Sequence, residues 1–594
     1  MAGDTNIEVN FLDHPSEVER YTNWLTDTLG SGRPISIDTE TGSADKLWTA
    51  DVPGHLRLYQ VGHSNEAWSI PAQQWRGLVE HTNNQVNKAR PSIWFANPSY
   101  DQTVFHREKL PLLDWSTTQD TVTLHRLRYP LSYAHGLKPA AGKILGSWAT
   151  AGQDELKRVM RDNGWTWETI PLDCPEYWTY GGMDCCISVQ LGEKMLADGG
   201  HPWYDVEMEF LSIVHGMILR GIPLDEGAIE IAHHHWTGII DREAAILHDL
   251  GIDSPSKKGV LDTAFKRMGF EPSVFSVKTG DPSYNKMVLA GMQELGGDIA
   301  KSAEHLMLHR RYTAWRNSYG RKLLGFMDSN GAVHPDIQTM EARTGRMIVR
   351  VPPMQTIPKD ALTRDIFVPR RKGEVLVAAD YSSQEVRIMA ALSGDEAMIS
   401  FFEGEGGDYH QYVADLAGIP RQAAKTVNYA RAYGAGDGTM ARQAGVTEAA
   451  MRGYLEQIDA AFPRAMRWKD EVTAQAEQRE VAGGTPWVEL PYGTILPLDR
   501  GKEYTQSANT IIQGHGAGVL KLATIRMKQV GLEEYLVLPF HDEMLVSVPE
   551  GDAHRVQSAL VSAMYDDLLR VPLVAEATQP MARFGDSIRA KDNE

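Results

Sequence analysis

Two apolar runs, each ending in an acid, organise the C-terminal half of the chain. Leu536 to Pro549 reads LVLPFHDEMLVSVP, with apolar residues on both sides of His541-Asp542-Glu543. Runs of this length around a short polar break predict a β-hairpin with Asp542 where its strands meet. Upstream, Val375 to Ala379 reads as a buried strand that ends at Asp380. Between the two lies RQAAKTVNYARAYG, Ala-rich, preceded by Pro420 and closed by Gly434, which predicts a helix. Arg421, Lys425, Tyr429 and Tyr433 recur there at every fourth residue, a drift of only about 40° per step on an α-helix. One stripe therefore carries two cations followed by two rings.

The N-terminal third has a different pattern. RPISIDTETG predicts a strand on which Asp38 and Glu40 share a face. PSIWFANPSYDQTVF supplies Asn97 and Asp101, and YWTYGGMDCCIS supplies Tyr180 and Asp184, four apart and on one face if that segment is helical. Further on, residues 300 to 330 predict a long basic helix.

These acids bear on chemistry because two nearby carboxylates raise each other's pKa unless a cation neutralises them. Two strand-end aspartates can hold two metal ions about 3.5–4 Å apart, the arrangement that clamps attacking and leaving oxygens in phosphoryl transfer. The cation-then-ring stripe suits a nucleoside triphosphate, phosphates at the charged end and base against the rings. Solvated turn acids and an ordinary amphipathic helix are the plainer alternatives that spacing alone leaves open.

At 594 residues the chain is expected to hold more than one domain. Its formal charge of −19 argues against a nucleic-acid partner, since such binding rests on cations that neutralise phosphates. Local distribution reverses this: Arg310, Arg311, Arg316, Arg321 and Lys322 form one acid-free cluster, and Arg364, Arg370, Arg371 and Lys372 precede the Asp380 strand. Both clusters are expected to face phosphates. No run approaches a membrane span, and the first residues lack a basic region followed by an apolar one, so a cytoplasmic protein without a membrane partner is expected. Cys174, Cys185 and Cys186 cannot pair evenly and are expected as free thiols.

In order and type, DYSSQEVR (Asp380 to Arg387), RQAAKTVNYARAYG and HDE resemble the three palm and fingers motifs of the family A DNA polymerases. ARTGRM, PPMQTIP and SANTIIQGHGAG resemble three further elements of that family. The N-terminal acids with Tyr180 resemble the three motifs of the DEDD exonucleases in their Tyr-containing branch. The implied fold is α/β and α+β, multidomain: a ribonuclease H-like exonuclease domain over residues 1–200, then a right-hand polymerase over 201–594. Within the latter, the thumb is expected at about 230–340, palm and fingers at about 341–594, and the fingers at about 400–490.

The resemblance implies that Asp380 and Asp542 hold two Mg²⁺ ions, with Mn²⁺ a substitute, and that Glu543 supports the metals or the primer end. Arg421, Lys425 and His410 are implied to bind phosphates, Lys425 as a catalytic group, while Tyr429 and Tyr433 receive sugar and base. Arg346, Gln355, Asn509, Gln513 and His541 are implied to touch primer and template. Glu385, bulky and bonded to Tyr433, is implied to exclude a ribose 2′-hydroxyl. Asp38, Glu40, Asp101 and Asp184 are implied to hold two further metals, with Tyr180 orienting the attacking water. The implied activity is template-directed DNA synthesis on primer-template DNA from deoxynucleoside triphosphates, with 3′–5′ proofreading, by a monomer of phage or small bacterial type. The sequence names no processivity factor, and no 5′-nuclease domain is expected. A single-subunit RNA polymerase is the rival that Glu385 opposes, and a non-catalytic DNA-binding scaffold the rival that the retained acids oppose. Tyr429, Ala430, Ser383-Gln384, Thr505 and Pro539 depart from the usual family residues; Tyr429 implies ready termination by dideoxynucleotides.

Overall fold

The computed structural model describes residues 6–42, 56–276, 279–404, 407–432, 436–481, 484–567 and 569–592. Two sheets carry the two sets of acids. The first joins β1 (Glu8–Phe11), β2 (Ile35–Thr41), β3 (Leu56–Gly62), β4 (Glu66–Pro71), β5 (Ile93–Phe95) and β6 (Thr118–Asp120), in the order β1-β4-β3-β2-β5-β6. β3 runs antiparallel to β2 and β4, and the other neighbours are parallel. β2 is thus an interior strand, buried throughout except at Asp38 and Glu40. The period of two puts both acids on the same face.

That face meets the helix Pro175–Ala197, and three glycines set how closely. A methyl at Gly181 would fall 2.3 Å from Gln60 Nε2, one at Gly182 2.4 Å from Val9 Cγ1, and one at Gly192 2.4 Å from the Trp94 ring. Any side chain there would lever the helix away from the sheet, and Tyr180 and Asp184 with it. Below, Tyr21, Tyr59, Trp68 and Phe95 are fully buried, and the tyrosine hydroxyls meet Thr82 at 2.6 Å and Asn83 at 2.9 Å. Buried hydroxyls without partners would each cost about 1–3 kcal/mol.

The second sheet joins β7 (Glu374–Tyr381), β8 (Leu536–Phe540), β9 (Glu543–Pro549) and β10 (Ala575–Ala577), in the order β8-β9-β7-β10, antiparallel throughout. Leu376 to Ala379 and Met544 to Val546 are buried against the helices Glu503–Gln529 and Ala553–Met564. Each such Leu or Val contributes about 1.5–3 kcal/mol over an exposed one. The predicted basic helix spans Gly297–Tyr319 and continues as a 3₁₀ segment, Arg321–Phe326. Among the described residues no helix is long and apolar enough to cross a membrane.

The basic clusters need correction. Arg364 is buried, and Arg370 donates to the Glu534 carbonyl at 2.5 Å and to that of Leu536, pinning the start of β8. Arg310 donates to the Tyr284 carbonyl, and Arg321 pairs with Glu230 at 2.9 Å. These four arginines satisfy backbone or acid groups of the chain itself, whereas Arg311, Lys322, Arg371 and Lys372 are exposed.

One pH dependence follows from the helix Thr121–Arg128. His125 and His135 meet through their Nδ1 atoms at 3.0 Å, and burial brings both down to about 4 from 6.5, with His135 adding to the effect on His125 and Arg126 on His135. The unfolded chain therefore binds more protons than the folded one between those values. Stability from this pair is full above pH 6.5 and is lost as pH falls towards 4. In His125→Phe the melting temperature should fall less between pH 6.5 and 4 than in wild type, read by calorimetry; equal slopes contradict this.

Candidate active site

Phe540 pairs with Glu543, so the turn between β8 and β9 contains only His541 and Asp542. His541 has a φ of +40°, the left-handed geometry that such turns demand at their first position and glycine usually supplies. Histidine is among the few side chains found there. The turn brings Asp542 beside the end of β7, where the Tyr381 N–H donates to the Asp542 carbonyl at 3.1 Å and Asp380 stands in register with Glu543.

Asp380 and Asp542 line one cavity of about 410 Å³, together with Arg346, Glu385, His410, Asn509 and His541. Arg346 donates to Glu385 Oε1 at 3.4 Å, so the acid is held on the cavity wall. Burial lowers the pKa of His410, opposed by Asp408, and Lys425 and Arg421 lower it further. Both cations thus act on His410, although neither is among the residues that line the cavity. Arg421 pairs with Asp408, the acid that caps the helix Tyr409–Ala417. Gln355 lies in an adjoining cleft with Arg346 and His541, and Gln513 is buried on the Glu503–Gln529 helix, about one turn after Asn509. The helix Arg421–Ala432 forms as expected; the Tyr429 side chain and all of Tyr433 lie outside the described residues.

Glu543 is engaged elsewhere. Its Oε2 accepts from Arg364 at 3.3 Å, both residues are buried, and the guanidinium lies 4.1 Å from the Phe584 ring. Lys359 and Lys469, which no motif singled out, line the cavity, and Lys469 Nζ stands 4.5 Å from the Tyr504 ring.

The N-terminal acids also gather. Thr39 donates to Asp101 Oδ1 at 2.6 Å, tying the helix Pro98–Arg107 to β2. Burial raises the pKa of Asp38 well above the usual range, and Asp101, Glu40 and Asp184 add to the rise. Glu40 behaves likewise, and burial pushes Asp101 up to about 7. Tyr180 and Asp184 are i and i+4 on the Pro175–Ala197 helix as expected, and burial keeps the Tyr180 hydroxyl protonated, with Asp184 adding to the effect. Lys138, missed by sequence reasoning, donates to Asp184 Oδ1 with its Nζ 4.9 Å from the Tyr180 ring. Its position in the first turn of the helix Leu137–Ile144 belongs to no motif.

Carboxylate oxygens of this kind suit hard divalent cations, and mutual repulsion among buried acids is what such an ion relieves. Both sets therefore fit a metal in chemistry. Among the described residues, however, no three His, Cys, Asp or Glu side chains converge as a ready ligand set. At the N-terminal site Lys138 holds Asp184, and at the C-terminal site Arg364 holds Glu543.

Comparison with known proteins adds an independent line. The chain is 28% identical over 574 residues to the DNA polymerase of Mycobacterium phage D29, covering 92% of each. It is 27% identical over 583 residues to that of Mycobacterium phage L5, covering 95% of this chain and 94% of that one. DNA polymerase I of Pseudomonas aeruginosa is 25% identical over 602 residues, which span 93% of this chain and 64% of that protein. The fold is similar to a solved polymerase domain of Pol1 from M. smegmatis, in complex with DNA primer-template and dNTP, with a TM-score of 0.75, 19% identity, and 97% and 99% of the two chains covered. Residues 237–581 of the 594 match the family described as DNA polymerase family A, and the chain belongs to that family.

Proposed function

We propose that this DNA polymerase extends the 3′ end of a primer on a DNA template in the 410 Å³ cavity, and trims mispaired ends at the N-terminal acids. The carrying observation is the meeting of Asp380, near the end of β7, and Asp542, in the turn between β8 and β9, on the wall of one cavity with Glu385, His410 and Arg346. Members of the family depend on metal ions, and we infer Mg²⁺ at Asp380 with Asp542 and at Asp38, Glu40, Asp101 and Asp184. When bound, such ions supply Lewis-acid stabilisation of attacking and leaving oxygens at phosphorus.

The remaining work falls to side chains. His410 is held below its ordinary pKa, so near neutral pH it offers a hydrogen bond rather than a charge to a phosphate. Lys359 and Lys469 present ammonium groups to the cavity for the triphosphate, and Arg421 and Lys425 flank the His410 side of it. Arg346, Asn509 and His541 line the same cavity, and Gln355 its adjoining cleft. With Gln513 they offer amide, guanidinium and imidazole donors to the acceptors that every base pair shows in the minor groove. At the other site Tyr180 stays protonated and can orient a water, while Lys138 pairs with Asp184 among the acids. We assign the exonuclease to residues 1–200 and the polymerase to 201–594 of a monomer acting in the bacterial cytoplasm. Extension of a labelled primer on a template with Mg²⁺ tests the reading; no extension by folded protein contradicts it.

Glu385 discriminates this reading from RNA synthesis. Held by Arg346 at 3.4 Å on the cavity wall, it would collide with a ribose 2′-hydroxyl. Glu385→Ala is expected to raise ribonucleotide incorporation by about 10²-fold or more relative to deoxynucleotides, the scale of discrimination lost when an excluded group is admitted. An unchanged sugar preference in single-nucleotide extension contradicts the gate.

A further inference from the structure

Lys521 stands about two turns beyond Gln513 on the helix Glu503–Gln529 and is 4% exposed, while Glu207, on the helix Tyr204–Arg220, is 1% exposed. The Lys521 ammonium donates to both Glu207 oxygens, at 2.7 and 2.9 Å, and to the Gly345 carbonyl at 3.2 Å. An ammonium has three donors, and three acceptors meet it here. Glu207 Oε1 also accepts from Trp203 Nε1 at 3.0 Å. Trp203 in turn stacks on Tyr492, with ring centroids 3.9 Å apart and planes at 19°, and the Tyr492 hydroxyl donates to the Gly514 carbonyl at 2.9 Å.

Gly345 has a φ of +73°, a conformation that only glycine adopts freely, and its N–H donates to the Ala342 carbonyl at 2.8 Å. The direction of its own carbonyl is therefore tied to a tight turn, and the next residue is Arg346, which reaches Glu385 on the cavity wall. Contacts run without a gap from Trp203 through Glu207, Lys521, Gly345 and Arg346 to Glu385. A buried ion pair is often no more stabilising than apolar residues of like volume, so fold stability alone is a weak account of this one.

We propose that Glu207 and Lys521 are positioning residues of the polymerase cavity, fixing the Gly345 carbonyl and, through that turn, the placement of Arg346 against Glu385. Glu207 and Trp203 precede the residues 237–581 matched by the family. A segment ahead of that region thereby acts on the nucleotide cavity through Lys521 and the Gly345 turn. The inference rests on the polymerase reading given above.

The test is the double variant Glu207→Gln with Lys521→Met, which removes both charges at similar volume. Its melting temperature should stay near wild type, whereas kcat/KM for the next correct deoxynucleotide should fall about 10- to 100-fold, the scale of a small misplacement near a reacting group. The preference for deoxynucleotides over ribonucleotides should narrow as well. A pair that merely braces the fold would move the melting temperature and leave both kinetic quantities alone, and that result overturns the proposal. Should the double variant not fold, Trp203→Phe keeps the ring stack and removes the donor to Glu207; a drop in the same two quantities supports the proposal, and unchanged values overturn it. Wild-type extension in the same assay tests the underlying reading separately, since a wild type that does not extend would defeat that reading whatever the variants do.

Discussion

Asp380→Ala and Asp542→Ala are each expected to slow primer extension by about 10³-fold or more, because Lewis-acid stabilisation of the transition state is worth several kcal/mol and each 1.4 kcal/mol is about tenfold in rate. Asp380 is the penultimate, half-buried residue of β7 and Asp542 sits in a two-residue turn, so neither alanine opens a cavity in the core. Melting temperatures should remain close to wild type. Binding of primer-template should change little, since it draws on cations neutralising phosphates elsewhere on the protein. Glu543→Ala is expected to behave differently. It leaves the Arg364 guanidinium buried without its acid, which breaks a buried pair at about 3–5 kcal/mol, so its signature is lost stability rather than a pure loss of rate. Extension retained in either aspartate variant, measured by single-turnover quench on folded protein, removes the assignment.

Asp38→Ala should abolish trimming of a mismatched 3′ end and leave extension from a matched end intact. The N-terminal site carries a second signature. Asp38 is raised by burial and then by the charges of Asp101, Glu40 and Asp184, and Glu40 by burial and then by those of Asp184 and Asp101; a carboxyl held protonated by the fold favours the folded state less as pH rises past its unfolded pKa. Removing Asp38 relieves part of that repulsion, so the metal-free variant should melt higher than metal-free wild type at neutral and alkaline pH. Trimming that persists in Asp38→Ala, or a metal-free variant that melts lower, argues that these acids do not form one charged cluster.

What the sequence could and could not carry divides along contact distance. The hairpin at Asp542, the strand ending at Asp380 and the i, i+4 pair Tyr180 and Asp184 are local patterns, and each emerges as read. The fate of Glu543 is not local: its partner Arg364 lies 179 residues away, so no window of sequence could pair them. The same holds for Arg370, whose carbonyl acceptors start β8. A run of cations looks like a phosphate-binding stripe until the fold supplies internal acceptors. Lys138 illustrates the converse, since it sits in no motif and reaches the acids only because its helix packs beside the Pro175–Ala197 helix. One signal was available and unread: Gly181-Gly182 beside Tyr180 is what a helix needs to approach a sheet closely.

Crystals of the protein with primer-template, a non-hydrolysable deoxynucleoside triphosphate and Mn²⁺, measured at the manganese edge, test the central claim most directly. The account predicts anomalous peaks within coordination distance of both the Asp380 and Asp542 carboxylates, in the cavity shared with Glu385 and His410. Peaks confined to other acids, with those two carboxylates unliganded, would contradict it.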